Sequence, residues 1–427
     1  MKVQILQRTK PFELVGWQLI GPFLVACALL VTRRPDAVFK AQFWAEDYTI
    51  FFANAYNLGW WPCLFHTYAG YFHAVPRLGS ALALMAPLTF APLVFSLIAI
   101  ACNALPVPLL LSSRSSCWGA LGQRALLAAI YVAIPNCFEN ISIISNAHWS
   151  MALSAYLVIV AAAPVGKLGR IFECVLLLLS GLSDPFCLFL LPIALFFAGR
   201  SRQRWRWARA LLVLGCSLIQ LRGVLNADSS SRPHIHLGID PVVLLRMLGG
   251  NMYMGTLIGG NHLGALDSGL FLAFLIFIAI ACTALMVFCW VHSNWEFRFF
   301  LTFVGMVLAA SLLKPAMTPT PGLTAWQGLA SAGDCRYWFF PGLAFAWSLA
   351  WCFHSRFPNL KEGAGYLLLF MCIGIARDWR CPAFVDLHYA ENIRRFEALP
   401  DGATMPIPIN PPFMGLGVGL VKHAPGK

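Results

Sequence analysis

The chain has 427 residues, of which 59% are hydrophobic and 11% are charged, and its formal net charge is +12. Soluble domains are about 45–50% apolar and about 25% charged, so this composition excludes an ordinary soluble protein. It predicts an all-α polytopic membrane protein embedded in a lipid bilayer. The positive charge is concentrated at the ends of apolar segments, where arginines anchor helices, so we expect no nucleic acid partner.

About eleven transmembrane helices are predicted within residues 1–376, followed by a short polar tail at residues 377–427. The predicted spans are Val15–Thr32, Pro92–Leu111, Ala125–Pro135, Met151–Val165, the two halves of Ile171–Gly199, Ala210–Leu221, Gly269–His292, Phe299–Leu313, Trp338–His354 and Gly365–Ala376. Ile171–Gly199 breaks at Asp184-Pro185 and has basic residues on both flanks, which favours a hairpin with Asp184 at its outer tip.

Basic residues before the first span place the N-terminus in the cytoplasm. The first loop, residues 36–90, and the tail then lie on the outer side. Arg33 and Arg34, directly after the first span, contradict this rule. The basic run Arg200–Arg209 is interpreted as an inner anchor on anionic lipid.

An acid pair, Glu46-Asp47, lies in the first loop among many aromatic residues. Carboxylates near a bilayer are costly and are therefore often functional; the alternative is a solvated loop pair. Helices are predicted near residues 46–58 and 76–85. Neighbouring helical residues point about 100° apart, so one acid is the expected base or metal ligand and the other orients it. Burial among aromatic rings would raise its pKa towards the range of a general base.

Other polar residues predicted on the outer side could bind substrate. His73 and Arg77 are four residues apart and share one helix face. Arg77 can grip a phosphate in bidentate fashion or act only as an interfacial anchor, and Arg336 beside Tyr337 has the same two interpretations.

Asp184 and His148 are weaker candidates, because each is also explained as a turn or loop residue. The His234-x-His236 pair could chelate a metal but is more typical of a solvated surface. Cys63, Cys335 and Cys381 fall on the outer side, where a disulfide is left open.

The W-A-E-D motif with Glu46-Asp47, the two helices predicted in the first loop and the R-Y-W-F-F-P motif at 336–341 resemble the C-type (GT-C) superfamily of membrane glycosyltransferases. The resemblance implies a GT-C-like fold and sugar transfer from a polyprenyl-phosphate donor on the outer side, for which we expect the bacterial cytoplasmic membrane. Asp47 matches the position of the family's catalytic carboxylate. The tail of about fifty residues departs from the large outer domain that members often carry.

We therefore expect an inverting glycosyltransferase of the cell envelope that acts on a glycan, lipid or protein acceptor. Asp47 and Glu46 are the predicted catalytic residues, and a divalent cation, Mg²⁺ or Mn²⁺, is left open. The chain has no P-loop and no strand–G-x-G-x-x-G–helix unit, which agrees with a lipid-borne donor. A transporter or flippase for a lipid-linked or small polar substrate is the alternative, and a non-catalytic subunit of an envelope-assembly complex is a third hypothesis.

Overall fold

Apolar helices form a bundle that carries smaller helices and a β-hairpin at one end. The computed structural model describes residues 13–201, 203–226, 236–260, 269–315, 321–331 and 335–423. The helical prediction is confirmed for most of these residues. The all-α prediction is wrong in the tail, where β1 Thr404–Pro408 and β2 Leu416–Val421 pair as an antiparallel sheet.

The α-helices follow one another along the chain with short connections. The first ten are α1 Ile20–Arg33, α2 Asp36–Phe39, α3 Ala53–Leu58, α4 Trp60–Cys63, α5 Ala74–Ala83, α6 Ala91–Ala104, α7 Pro106–Leu111, α8 Leu121–Ala133, α9 Ala147–Val160 and α10 Lys167–Gly181. The others are α11 Phe186–Gly199, α12 Arg204–Leu225, α13 Pro241–Met247, α14 Gly255–Ile258, α15 Gly269–His292, α16 Trp295–Leu313, α17 Ala325–Ser331, α18 Phe339–Phe353, α19 Pro358–Asp378 and α20 Tyr389–Glu397. Two π-helices precede α3 and α14, at Asp47–Phe52 and Leu248–Met254.

Several helices in the described residues have the length and composition of membrane spans. The six that are long and apolar enough to cross a membrane are Gly16–Arg33, Leu88–Leu111, Arg204–Leu225, Phe271–His292, Trp295–Leu313 and Pro358–Asp378. Shorter apolar helices lie at Leu121–Ala133, Ile144–Val160 and Phe186–Gly199. This is the helix content of an integral membrane protein. Length and composition support six spans, not the eleven that the sequence predicts.

The connections between the long helices gather at two ends of the bundle. At one end the C-termini of α1, α8 and α19 meet around Arg33. At the other end Glu173 of α10 accepts hydrogen bonds from Arg114 and from Arg209 of α12. We call these the Asp47 end and the Arg114 end, after the residues that lie there.

Arg33 and Arg34 are both fully buried, which explains why they depart from the positive-inside rule. The guanidinium group of Arg33 donates hydrogen bonds of 2.7–3.3 Å to carbonyl groups at the ends of α8 and α19: Val132, Ile134, Asp378 and Trp379. The last carbonyl groups of a helix have no partner within it and carry partial negative charge. Arg33 therefore caps two helices and is not a topology signal.

The basic run at residues 200–209 also contains a buried arginine, Arg209. Arg209 donates 2.8 Å and 2.9 Å hydrogen bonds to the two carboxylate oxygens of Glu173, and Trp205 Nε1 donates to the same group at 2.6 Å. The predicted role as a lipid anchor is therefore wrong for Arg209, which joins α12 to α10. Arg204 in the same run is exposed.

The main core lies around α9 and α18, whose residues 149–160 and 339–350 are buried throughout. A second core joins the first loop to the tail and contains Phe43, Tyr48, Phe52, Tyr389 and Phe396. Backbone bonds tie the two segments together: Ala45 N–H donates to Asn410 O at 2.6 Å, and Asn410 N–H donates to Phe43 O at 3.1 Å. The tail thus packs on the helix that carries Asp47.

The helices predicted in the first loop are present, with somewhat different bounds. The first consists of the π-helix Asp47–Phe52 and α3, and the second is α5 at Ala74–Ala83. The N-terminus of α5 is capped by the α10–α11 connection, because Leu182 O accepts from Ala74 N–H and Ser183 Oγ accepts from Val75 N–H, at 2.9 Å and 3.0 Å. The turn around Asp184 therefore lies at the Asp47 end.

Candidate functional site

Asp47 is a buried carboxyl group, 4% exposed, at the first turn of the π-helix. Its Oδ1 accepts a 3.0 Å hydrogen bond from Ser145 N–H, and its Oδ2 accepts a 3.3 Å bond from Ile144 N–H. Both donors belong to the 3₁₀ turn that leads into α9. Each carboxylate oxygen keeps a second lone pair, so the group can still accept a proton or a further hydrogen bond.

Burial raises the pKa of Asp47 from its usual 3.8 to about 7. The hydrogen bonds from Ser145 and Ile144 oppose this rise, and the negative charge of Glu46 adds to it. Glu46 is half-buried and takes no part in these two hydrogen bonds to Asp47. A carboxyl group with a pKa near 7 can take up a proton from a reacting hydroxyl at neutral pH.

His148 and Asp184 form a second pair close to Asp47. His148 Nδ1–H donates to Ser145 O at 2.6 Å, and His148 Nε2 lies 3.3 Å from Asp184 Oδ2. Asp184 Oδ1 also accepts from Phe186 N–H at 3.0 Å, so this residue caps the start of α11 as well. Ser145 therefore contacts Asp47 through its amide and His148 through its carbonyl group.

Glu139, in the loop that leads into α9, forms a pair with Arg336. Arg336 N–H donates to Glu139 Oε2 at 3.1 Å, and Arg336 Nη1 lies 3.9 Å from Glu139 Oε1. The guanidinium carbon of Arg336 lies 5.2 Å from the ring centre of the buried Tyr337. Asn146 Nδ2 donates to Glu139 O at 3.0 Å, which connects this pair to the turn that holds Asp47.

Asp47, the His148–Asp184 pair and the Glu139–Arg336 pair all make contacts with residues 136–148, which we call the hub loop. Asn136 and Ser142 have φ angles of 51° and 62°, in the left-handed region that non-glycine residues seldom adopt. Contacts from outside the loop hold both: Asn136 N–H donates to Asp378 Oδ2 at 2.8 Å, and Ser142 N–H donates to Asn103 Oδ1 at 3.1 Å. Strained backbone held by its surroundings is typical of functional sites.

Sequence reasoning did not select Glu139, the residue that pairs with Arg336. It is 6% exposed and is the single carboxylate in the sequence of the hub loop. A carboxylate in a loop that packs inside the protein is costly unless it is paired. The presence of this single acid was therefore the sequence signal that could have identified Glu139. Its partner lies almost two hundred residues later in the chain, so the pairing itself could not be predicted.

Arg77 and His73 lie beside the π-helix. Arg77 is 2% exposed and donates to Ile50 O at 2.9 Å and to His66 O at 3.4 Å. His73 Nε2 lies 3.2 Å from Tyr68 O. Within the described part of the chain, no carboxylate forms an ion pair with Arg77.

Arg77 lines a cavity of about 420 Å³ between α3 and the loop before α5. The other lining residues are Ile50, Asn54, Phe65, His66, Thr67 and Tyr68. Burial lowers the pKa of Arg77 from its usual value, yet a guanidinium group stays charged at neutral pH. The cavity therefore has a positive charge at its wall and polar side chains around it.

The described residues contain no group of three or more His, Cys, Asp or Glu side chains placed to hold a metal ion. Glu46 and Asp47 are the candidate ligands from the sequence, and Asp47 already accepts two backbone hydrogen bonds. His234 of the proposed His pair lies outside the described residues. Cys63, Cys335 and Cys381 are free thiols, so the disulfide left open by the sequence is not formed.

The site thus combines predicted residues that lie far apart in the chain. Asp47, His148, Asp184, Arg336 and Tyr337 lie on or against the hub loop. Arg77 lines the neighbouring cavity, and His73 lies next to Tyr68, which lines the same cavity. Comparison with models of known protein families, with curated proteins and with solved structures finds no match to this chain.

Proposed function

We propose that this integral membrane protein is an inverting glycosyltransferase that uses a polyprenyl-phosphate-linked sugar. The observation that supports this most directly is Asp47, a buried carboxyl group with a pKa of about 7 fixed to the hub loop. Such a group is suited to deprotonate an acceptor hydroxyl at neutral pH. The resemblance of the Glu46-Asp47 motif to GT-C enzymes supports the same assignment.

In the proposed reaction the acceptor hydroxyl attacks the anomeric carbon while Asp47 takes its proton. The new bond joins the acceptor oxygen to that carbon, and the bond from the carbon to the phosphate oxygen breaks with inversion. The electron pair leaves with the polyprenyl phosphate. Glu46 tunes the pKa of Asp47 through its negative charge.

We assign the donor phosphate to the cavity lined by Arg77. A buried guanidinium group that no described carboxylate neutralises favours an anion, and fixed donors are worth more in a site that excludes water. Arg77 donates to Ile50 O, three residues after Asp47, so the π-helix that carries the base also holds the guanidinium group at the cavity wall. His73 supports this wall of the cavity.

Arg336, Tyr337, His148 and Asp184 have positioning roles in this proposal. The first two hold Glu139 and the start of α18, and the last two hold Ser145, whose amide binds Asp47. Together they hold Glu139 and Ser145 of the hub loop in place. Changes at these residues are expected to lower turnover by displacing Asp47.

We also propose that the bundle crosses the bacterial cytoplasmic membrane eleven times, with the Asp47 end outside. Five shorter helices, α8, α9, α10, α11 and α18, lie between the same two ends of the bundle. They would be the remaining spans beside the six long helices. These helices have 13–15 residues and reach only about 20–22 Å. Protein surrounds α9 and α18 on all sides, so neither must match the thickness of the lipid.

A transporter or flippase for a lipid-linked or small polar substrate is the second candidate. The shielding of Asp47, which is 4% exposed, favours it because an occluded carboxyl group suits a carrier that alternates between conformations. Proteoliposomes with a labelled polyprenyl-phosphate sugar and an envelope acceptor distinguish the two. Covalent transfer of the label is expected, and movement of the intact donor across the bilayer without transfer would overturn the enzyme assignment.

A further inference from the structure

A second cavity, of about 480 Å³, lies at the Arg114 end, opposite to the hub loop. It is bounded by the start of α8, the α15–α16 connection and the α18–α19 connection. Asn294 Nδ2 donates to Cys117 O at 2.7 Å and ties two of these segments together. The volume lies within the range of about 300–1,000 Å³ typical of ligand pockets.

The lining combines aromatic rings with basic side chains. The aromatic residues are Trp118, Phe297, Trp347, Trp351 and Phe357, and the basic residues are His292, His354 and Arg356. Among the described residues that line this cavity, none carries a carboxylate. The chemistry therefore favours an anionic ligand with an apolar part.

Trp118 supplies an independent sign of a missing partner. Its side chain is 8% exposed, and its buried indole N–H has no hydrogen-bond partner. By contrast, Nε1 of the neighbouring Trp347 donates to Leu127 O at 3.1 Å. A buried donor without an acceptor destabilises the protein, so an acceptor atom of a ligand in the cavity would relieve this cost.

The surroundings of the cavity indicate lipid. Only 11% of the most apolar 18-residue stretch of α15 is buried, and only 17% of the corresponding stretch of α19. Both helices therefore present apolar surface outward. Trp290, Trp295 and Phe353 are 46%, 42% and 38% exposed beside the cavity. Aromatic residues collect at the level of lipid headgroups, which places the cavity where a headgroup lies.

We propose that this cavity binds the phosphate headgroup of an anionic phospholipid. Arg356 neutralises the phosphate, the Trp118 N–H donates to one of its oxygens, and the acyl chains run along α15 and α19. A free phosphate in water has the same headgroup chemistry but gains nothing from the apolar helices. The site is separate from the one proposed for sugar transfer.

The test uses the full-length protein in nanodiscs of equal parts phosphatidylcholine and phosphatidylglycerol, followed by native mass spectrometry. Phosphatidylglycerol is expected to be retained in preference to phosphatidylcholine. Arg356→Gln should weaken its binding about tenfold, as expected for loss of a charge-assisted hydrogen bond. Trp118→Phe, which removes the N–H donor and the five-membered ring but keeps an aromatic side chain, should weaken it several-fold.

Arg170→Gln is the matched control, because it removes one exposed basic residue of α10 at the Arg114 end without touching the cavity. It should retain lipid as the wild type does. Equal retention of both lipids, or unchanged retention in both cavity variants, would overturn the proposal. Displacement of the bound lipid by inorganic phosphate would also overturn it, because the site would then be specific for a soluble anion.

Discussion

The Ser145 amide donates a 3.0 Å hydrogen bond to Asp47 Oδ1, and the two residues are almost one hundred positions apart. This bond fixes the acid of the first loop to the hub loop. The carbonyl group of the same serine accepts from His148, whose other ring nitrogen lies beside Asp184. Asp47 and Asp184 are thus linked through the backbone of Ser145 and the side chain of His148.

The burial of Asp47 predicts that stability falls as pH rises. Its pKa is 3.8 in an exposed chain and about 7 in the folded protein, so folding favours the protonated form. The contribution is fully present below about pH 4 and is lost as pH rises through about 7, with a total of about 4 kcal/mol. The apparent melting temperature in detergent should decline over this range.

Asp47→Asn provides the comparison for that pH dependence, because an amide does not ionise. The melting temperature of this variant should vary less with pH between about 4 and 7. Parallel curves for the variant and the wild type would show that Asp47 titrates normally in the folded protein.

The pH dependence of sugar transfer should run in the opposite direction. A general base acts in its ionised form, so the rate should rise with pH through about 7 and then level off. Glu46→Gln removes a negative charge that raises the pKa of Asp47, and should move the midpoint to lower pH while preserving the maximal rate. An unchanged midpoint would show that Glu46 does not affect the pKa of Asp47.

Much of the Asp47 end could be predicted from local sequence signals. Helical spacing and the acid pair indicated the helix that carries Asp47, and basic flanks around a Ser-Asp-Pro break indicated the turn at Asp184. The hub loop could not be predicted, because its importance arises from partners at residues 47, 184 and 336 that only folding brings together. The role of Arg33 could not be predicted, because the positive-inside rule counts charges and does not distinguish an arginine that caps buried helix ends.

The Glu139–Arg336 pair should behave as a coupled unit. Both side chains are largely buried, so Arg336→Gln, which removes a positive charge 3.9 Å from the Glu139 carboxylate, should cost about 3 kcal/mol. Adding Glu139→Gln should recover part of this loss, giving a coupling energy of about 1–3 kcal/mol in a double-mutant cycle of unfolding. The exposed pair Glu391–Arg395 of α20 is the control and should show little coupling.

Additive losses for Glu139→Gln and Arg336→Gln would indicate that the two side chains do not interact across their 3.9 Å separation. The backbone N–H of Arg336 keeps its bond to Glu139 in the single variant. The cycle therefore reports on the guanidinium group alone.

Arg33→Lys should destabilise the bundle although it preserves the charge. A lysine ammonium group cannot reach four carbonyl groups with the fork geometry of a guanidinium group, and the carbonyl groups it leaves unbound are buried. We expect a loss of about 3 kcal/mol, measured as a lower melting temperature in detergent. Arg204→Lys, at an exposed position of α12, should leave the melting temperature unchanged.

The most direct test of the proposed function is sugar transfer by Asp47→Asn in proteoliposomes that contain a labelled polyprenyl-phosphate sugar. The variant should insert and fold like the wild type, while its turnover falls by about 10²–10⁴-fold, the usual contribution of a general base. Glu46→Gln, its neighbour in the motif, should retain turnover at its own optimal pH. Near-normal transfer by Asp47→Asn would contradict the account.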